Sequence, residues 1–208
     1  MAFNIVIMTN RPVGMLKGGY SSVDTKTLIT NTATILFQQK GYKSVGLNEI
    51  LKACNVTKGA LYHHFPNGKE ELLIACLQAL NETIMLDVEE TFRSHMTTQE
   101  AIQSMMDKLI QSLETEGTIT GYTFSSIVSE MATVSEPVRK ACSALYENIQ
   151  DIYRAKLVTD GFSNESAATI ALWMIASIEG AMMLCLTQKS SDPLKTVAKL
   201  LPNLVKIV

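Results

Sequence analysis

"GYKSVGLNEILKACNVTKGALYHHFPNGKEEL", Gly41–Leu72, is the stretch on which the fold turns. It holds two short helix-like segments separated by a few residues. The first runs from Leu47 to Ala53, with Gly46 at its N-cap and Ile50, Leu51 and Ala53 on the inward side. The chain bends at Cys54-Asn55, and the second segment runs from Thr57 to His63, where Thr57 can cap the start by accepting a backbone N–H. Phe65-Pro66-Asn67-Gly68 then breaks the chain. Upstream, a helix beginning at Asp24 carries Leu28, Ile29, Ala33, Ile35, Leu36 and Phe37 on its apolar face and stops at Gly41. Three helices in about 40 residues, the last two joined by a tight turn, have the spacing of a helix-turn-helix.

In such a unit the second short helix lies in the major groove, so its leading residues must be small, hydroxylic or basic. "TKGALYHH", Thr57–His64, fits. A helix N-terminus attracts phosphate through its free N–H groups. Thr57 can bond a phosphate oxygen and Lys58 adds charge. Gly59 and Ala60 have little side chain to hold a duplex away, and Ala60 could touch a thymine methyl. Leu61 should point back into the three-helix core.

The adjacent histidines have other readings. Taken alone, a Tyr-His-His run on a short amphipathic helix is ordinary surface. A metal site fails because neighbouring helical residues point about 100° apart and His95 is distant in sequence. A catalytic pair lacks a nucleophile or an oriented partner.

The ordered pattern Phe37, Gly41, Tyr42, Glu49, Ile50, Val56, Thr57, Lys58, Gly59, Leu61, Tyr62, Phe65, Lys69, Glu70, Leu72 resembles the DNA-binding head of the TetR family of transcriptional repressors. "HHFPNGKEEL", with Pro-Asn-Gly before the lysine, is similar to the LmrA/QacR-like subgroup, and "SEPVRKAC" and "IEGAMMLCL" further on point the same way. Gly46 stands where the family often has Thr or Ser, and Leu51 replaces a usual Ala. The resemblance implies an all-α fold: a three-helix head followed by a helical ligand-binding and dimerisation domain. It assigns Thr57, Lys58, Tyr62 and His64 to phosphates, and Gly59, Ala60 and His63 to the bases. Lys69, opening the fourth helix, would clamp a backbone phosphate.

Composition agrees with that division. The chain has 208 residues, enough for one small and one larger core, and is 47% hydrophobic, which excludes a disordered polyelectrolyte. Net charge is only −2, but residues 1–72 carry eight Lys/Arg against four Asp/Glu, whereas residues 73–208 carry ten against sixteen. A basic first third on an acidic remainder suits contact with a polyanion. Cys54, Cys76, Cys142 and Cys185 are scattered and form no zinc spacing, so they read as core thiols of a reduced, cytoplasmic protein without metal or cofactor.

Helical signals continue to the C-terminus. Residues 1–23, with Pro12, Gly14, Gly18 and Gly19, read as a flexible leader, 24–68 as the DNA-binding domain and 69–208 as the ligand-binding and dimerisation domain. Helices are expected from Lys69 towards His95, from a Thr97–Glu100 capping box to about Glu114, over Thr123–Ala132 and over Ser135–Asp160. A long apolar helix capped at Ser163 or Asn164 and a last one opened by Pro193 complete about nine.

"AATIALWMIASIEGAMMLCL", Ala167–Leu186, has the length of a bilayer crossing, with Glu179 as its only charge. A helix apolar all round can equally be covered by protein on every side. A chain with one helix-turn-helix needs a twin to read a two-fold operator, and the resemblance places a homodimer contact on the last two helices, about 163–208. No membrane is then required. Met105, Met106, Tyr122, Phe124, Glu130, Met131, Tyr146, Trp173 and Glu179 are candidates for an effector pocket. Methionines adapt their shape, aromatic rings stack on flat ligands, and a carboxylate in an apolar stretch can meet a cation. The same residues at helical spacing are ordinarily plain core. The function expected is a dimeric repressor of a double-stranded operator, released by a small hydrophobic, cationic or aromatic effector. A DNA-binding regulator without effector and a membrane-associated regulator are the alternatives.

Overall fold

Helix α1, Thr25–Lys40, places Ile29, Ala33 and Phe37 on one buried stripe at intervals of four residues, while Leu28, Ile35 and Leu36 flank it half-buried. It ends at Gly41, whose positive φ of 77° a glycine adopts without strain, and whose N–H bonds to the Phe37 carbonyl. The computed structural model describes residues 24–117, 127, 129–131 and 133–205. The expected leader, residues 1–23, lies outside them.

Helix α2, Leu47–Cys54, buries Ile50 and Cys54. The expectation for Ala53 is corrected: it is exposed, and Cys54 takes the inward place one full turn after Ile50. Asn55 closes α2 in the left-handed region, with its N–H turned to the Leu51 and Lys52 carbonyls. Helix α3, Lys58–His64, and helix α4, Lys69–Ser94, follow. Val45, Ile50, Leu61, Phe65, Leu72 and Leu73 are all essentially inaccessible and form the small core of this part.

The chain divides into two units, the first ending at Cys76 and the second beginning at Leu77, within α4. The early turns of α4 belong to the first unit because Leu72, Leu73 and Cys76 are buried there, with the Cys76 thiol 3.4 Å from the Thr30 carbonyl.

In the second unit, α5 spans Thr98–Glu116, α6 Glu136–Thr159, α7 Asn164–Gln188 and α8 Asp192–Leu204. Ile127 and Ser129–Met131 are also helical, inside the span where another helix is expected. No strand occurs among the described residues. The predicted capping box is present: Thr97 Oγ1 accepts from the Glu100 N–H, and the Glu100 carboxylate reaches back to the Thr97 N–H. Ser135 and Ser163 cap α6 and α7 by accepting the N–H groups of Val138 and Ser166. α7 packs against α6 and α8, and α5 against α8. α7 contributes Ala167, Ala171, Met174, Ile178, Ala181, Met182 and Cys185 to a core that also holds Val88 and Phe92 of α4. α7 is the one helix, among the described residues, long and apolar enough to cross a membrane, yet this stripe is packed inside protein.

Candidate nucleic-acid interface

Helix α3 is held from below. Leu61 is fully buried and Phe65 nearly so, one turn apart, and they seat the helix in the head core. Thr57 Oγ1 accepts from the Ala60 N–H at 3.2 Å, which fixes the helix start and leaves the threonine hydroxyl proton available to donate. With Leu61 inward, Lys58, Gly59, Tyr62 and His63 are exposed, at spacings that put them on one outward stripe. Ala60 and His64 are half-buried at its edge.

The glycines on this surface are informative through what surrounds them. A Cβ on Gly59 would meet only Thr57 Oγ1, at 3.9 Å, and a Cβ on Gly46, the N-cap of α2, would meet nothing within 4 Å. Neither has a positive φ. A helical glycine costs about 0.5–1 kcal/mol relative to alanine, and nothing among the described residues requires that loss at Gly59. Gly68 is different: its φ is 71°, and a Cβ there would lie 3.6 Å from the Tyr62 ring. The Tyr62 ring therefore lies beside the turn before α4, with Lys58 Nζ 5.8 Å from its centroid. The rings of His63 and His64 meet edge-on at 5.0 Å, and His64 also neighbours Phe65 at 6.4 Å. His63 is the more exposed of the two, the arrangement expected if it is the one that meets bases.

Lys69, expected at a backbone phosphate, makes contacts within the head. Its Nζ donates to the Tyr42 carbonyl at 2.5 Å and sits 4.1 Å from the Tyr42 ring centroid. Tyr42 was not among the candidate residues; its signal is an aromatic directly after a helix-ending glycine. Burial, with the Glu70 carboxylate adding to it, pushes the Tyr42 phenol up and keeps it neutral.

The effector candidates that lie among the described residues differ in burial. Met105 and Met106 are buried in the core of the second unit. There the sequence reading missed Tyr153, which is 3% exposed. Its hydroxyl donates to Met105 Sδ at 3.1 Å and its ring lies 4.8 Å from that of Phe92. Burial raises the Tyr153 pKa, and the Glu179 and Asp87 charges raise it further, so Glu179 lies within electrostatic reach of this group. Met131 is buried, while Glu130, Tyr146 and Glu179 are half-buried. Trp173 is 47% exposed, next to the fully buried Met174. Tyr122 and Phe124 lie outside the described residues. A groove of about 310 Å³ between α5 and α8, lined by Gln103, Asp107, Ile110, Lys195, Ala198 and Pro202 among others, does not include the methionine cluster. Among the described residues no three His, Cys, Asp or Glu side chains gather in a way that could hold a metal ion.

A capped recognition helix with a small-residue opening, set in a three-helix unit, defines a helix-turn-helix DNA-binding regulator. Comparison with known proteins agrees. Residues 29–76 match the sequence model described as bacterial regulatory proteins, tetR family, and residues 98–200 match that of the LmrA/YxaF-like transcriptional regulator C-terminal domain. The chain is 34% identical over 183 residues to each of two Bacillus subtilis proteins, the uncharacterized HTH-type transcriptional regulator YxaF and the HTH-type transcriptional regulator LmrA. These alignments cover 88% of this chain and 96% and 97% of the two relatives. Among solved structures, reduced NemR of E. coli superposes with a TM-score of 0.77 at 24% identity, covering 87% of this chain and 97% of the other. A TetR regulator of Legionella pneumophila gives 0.76 at 22%, covering 88% and 98%, and both show the same fold. The chain belongs to the TetR family of bacterial transcriptional regulators, with an LmrA/YxaF-like C-terminal domain.

Proposed function

We propose that this regulator is a homodimeric, cytoplasmic repressor that binds a palindromic operator through α3 and releases it when a small hydrophobic effector enters the second unit. The observation that carries the DNA-contact assignment is the space left at Gly59 and Gly46, which the chain's own packing does not need. Gly59, Ala60 and His63 read the bases. Thr57, Lys58, Tyr62 and His64 hold phosphates, and α2 approaches the backbone at Gly46. Each good base contact contributes roughly 1–3 kcal/mol of discrimination, and the phosphate contacts dominate affinity and its salt dependence.

The dimer reading is supported by the outer side of the last two helices. Leu172, Trp173, Met183 and Leu184 of α7 and Leu200 of α8 are large, apolar and 41–58% exposed. A twin would cover them and set two recognition helices about 34–36 Å apart. The effector reading is supported by the adaptable Met105/Met106 cluster with Tyr153 and the Glu179 charge beside it; Tyr122, Phe124, Glu130, Met131 and Tyr146 complete the candidate pocket.

Selection of bound sites from random duplex DNA tests the central statement. A two-fold symmetric site is expected, and failure to enrich any sequence would overturn it. Effector action must be reciprocal, so operator DNA should weaken effector binding by the same factor by which effector weakens DNA binding.

A further inference from the structure

We propose that Lys69 is a positioning residue of the DNA-binding head, acting through Tyr42 to hold the α1–α2 turn and the start of α2 where they meet DNA. The inference rests on the assignment of this surface to DNA. It replaces the phosphate clamp that the family resemblance suggests for Lys69.

The ammonium group is held from two directions by one residue. Nζ donates to the Tyr42 carbonyl at 2.5 Å and lies over the Tyr42 ring at 4.1 Å, with the Phe37 ring 5.9 Å away. The two rings are themselves in contact, 5.3 Å between centroids. Attraction between a cation and a ring face grows as the site loses water, and Lys69 is half-buried. The same Tyr42 carbonyl accepts the Val45 N–H at 3.4 Å, so Lys69 and the bond that closes the turn meet at one acceptor. Val45 is fully buried, and the next residue, Gly46, is the N-cap of α2. Where Lys69 holds Tyr42 therefore decides where α2 begins.

Its neighbour supports the other helix. A Cβ on Gly68 would stand 3.6 Å from the Tyr62 ring and 3.9 Å from Leu47 Cδ1. The Gly68-Lys69 pair thus neighbours the recognition helix at Tyr62, the start of α2 at Leu47 and the α1–α2 turn at Tyr42. A lysine engaged in this way would lose both contacts on turning to a phosphate.

The test combines a salt titration with a double-mutant cycle. The full chain and the variants Lys69→Met, Tyr42→Leu and the double variant are compared on one duplex, the site most enriched from random DNA, with folding followed by thermal unfolding. Folded Lys69→Met should lose about tenfold in affinity, keep the wild-type slope of log affinity against log salt, and lose much less in the Tyr42→Leu background. A phosphate ligand would instead lower the slope by about 0.9 and give the same loss in both backgrounds, and that result overturns the proposal. Unchanged affinity in folded Lys69→Met overturns it as well. Should Lys69→Met fail to fold, Lys69→Arg decides. It keeps the charge, but its planar fork cannot place a donor on the Tyr42 carbonyl and its charge over the ring as lysine does. Reduced affinity at unchanged slope supports the proposal, and retained affinity overturns it. Absence of duplex binding by the wild-type chain would be the failure of the broader assignment and would take this one with it.

Discussion

At Gly59 the chain omits a side chain that its own packing would accept. Gly59→Ala should therefore stabilise the protein by about 0.5–1 kcal/mol in thermal unfolding while weakening duplex binding. A loss of stability would mean that the glycine serves the fold instead. The thiols give a second prediction at this scale. Burial pushes Cys76 up to about 12 and Cys142 up to about 11. Because the thiolate is the reactive form, a disulfide reagent in mildly alkaline buffer should leave both unlabelled in the native chain and label them after unfolding. Folding keeps these protons on, so the stability tied to them is complete below the ordinary thiol value of 9. It declines as pH rises through about 11 and 12, and denaturant midpoints should fall over that range. The Thr57 cap and the inward Leu61 were legible in the sequence because each depends on neighbours within four residues. The inward place of Cys54 rather than Ala53 was not, since in an eight-residue helix two adjacent small apolar residues fit the pattern equally well.

Among the elements, the connection between α4 and α5 is tied down completely by side chains. Lys156 Nζ donates to the His95 and Met96 carbonyls at 2.8 and 3.0 Å. The Asp160 carboxylate accepts the Thr98 N–H, and Glu100 accepts those of Met96 and Thr97. α6 thereby anchors the end of α4 through its last turn, one turn beyond the Phe92–Tyr153 ring contact. Lys156→Met should cost about 1–2 kcal/mol in denaturant unfolding, because two backbone carbonyls lose their partner. A change below a few tenths would show that solvent replaces the lysine. The capping box within this connection was legible from Thr97 and Glu100, three residues apart. Lys156 and Asp160 were not, because they lie some 60 residues away in sequence from the groups they bind.

For the whole molecule, the exposed apolar side of α7 and α8 is where the proposed dimer would make its contact. Leu172→Glu combined with Trp173→Glu should convert the dimer to a monomer in sedimentation velocity, with a large loss of operator affinity, since one head engages only one half-site. A dimer that persists would move the interface elsewhere. The sequence by itself determined the all-helical class, the order and ends of most helices, and the recognition segment Thr57–His64, because caps, breakers and helical periodicity act over a few residues. Only the tertiary structure decided that Lys69 meets Tyr42, 27 residues away, that Tyr153 meets Met105, 48 residues away, and that Trp173 faces outward. Those outcomes depend on how each helix is rotated about its axis against its neighbours. A helix such as α7, apolar around most of its circumference, leaves that rotation open until its small alanines find the surface they can approach most closely.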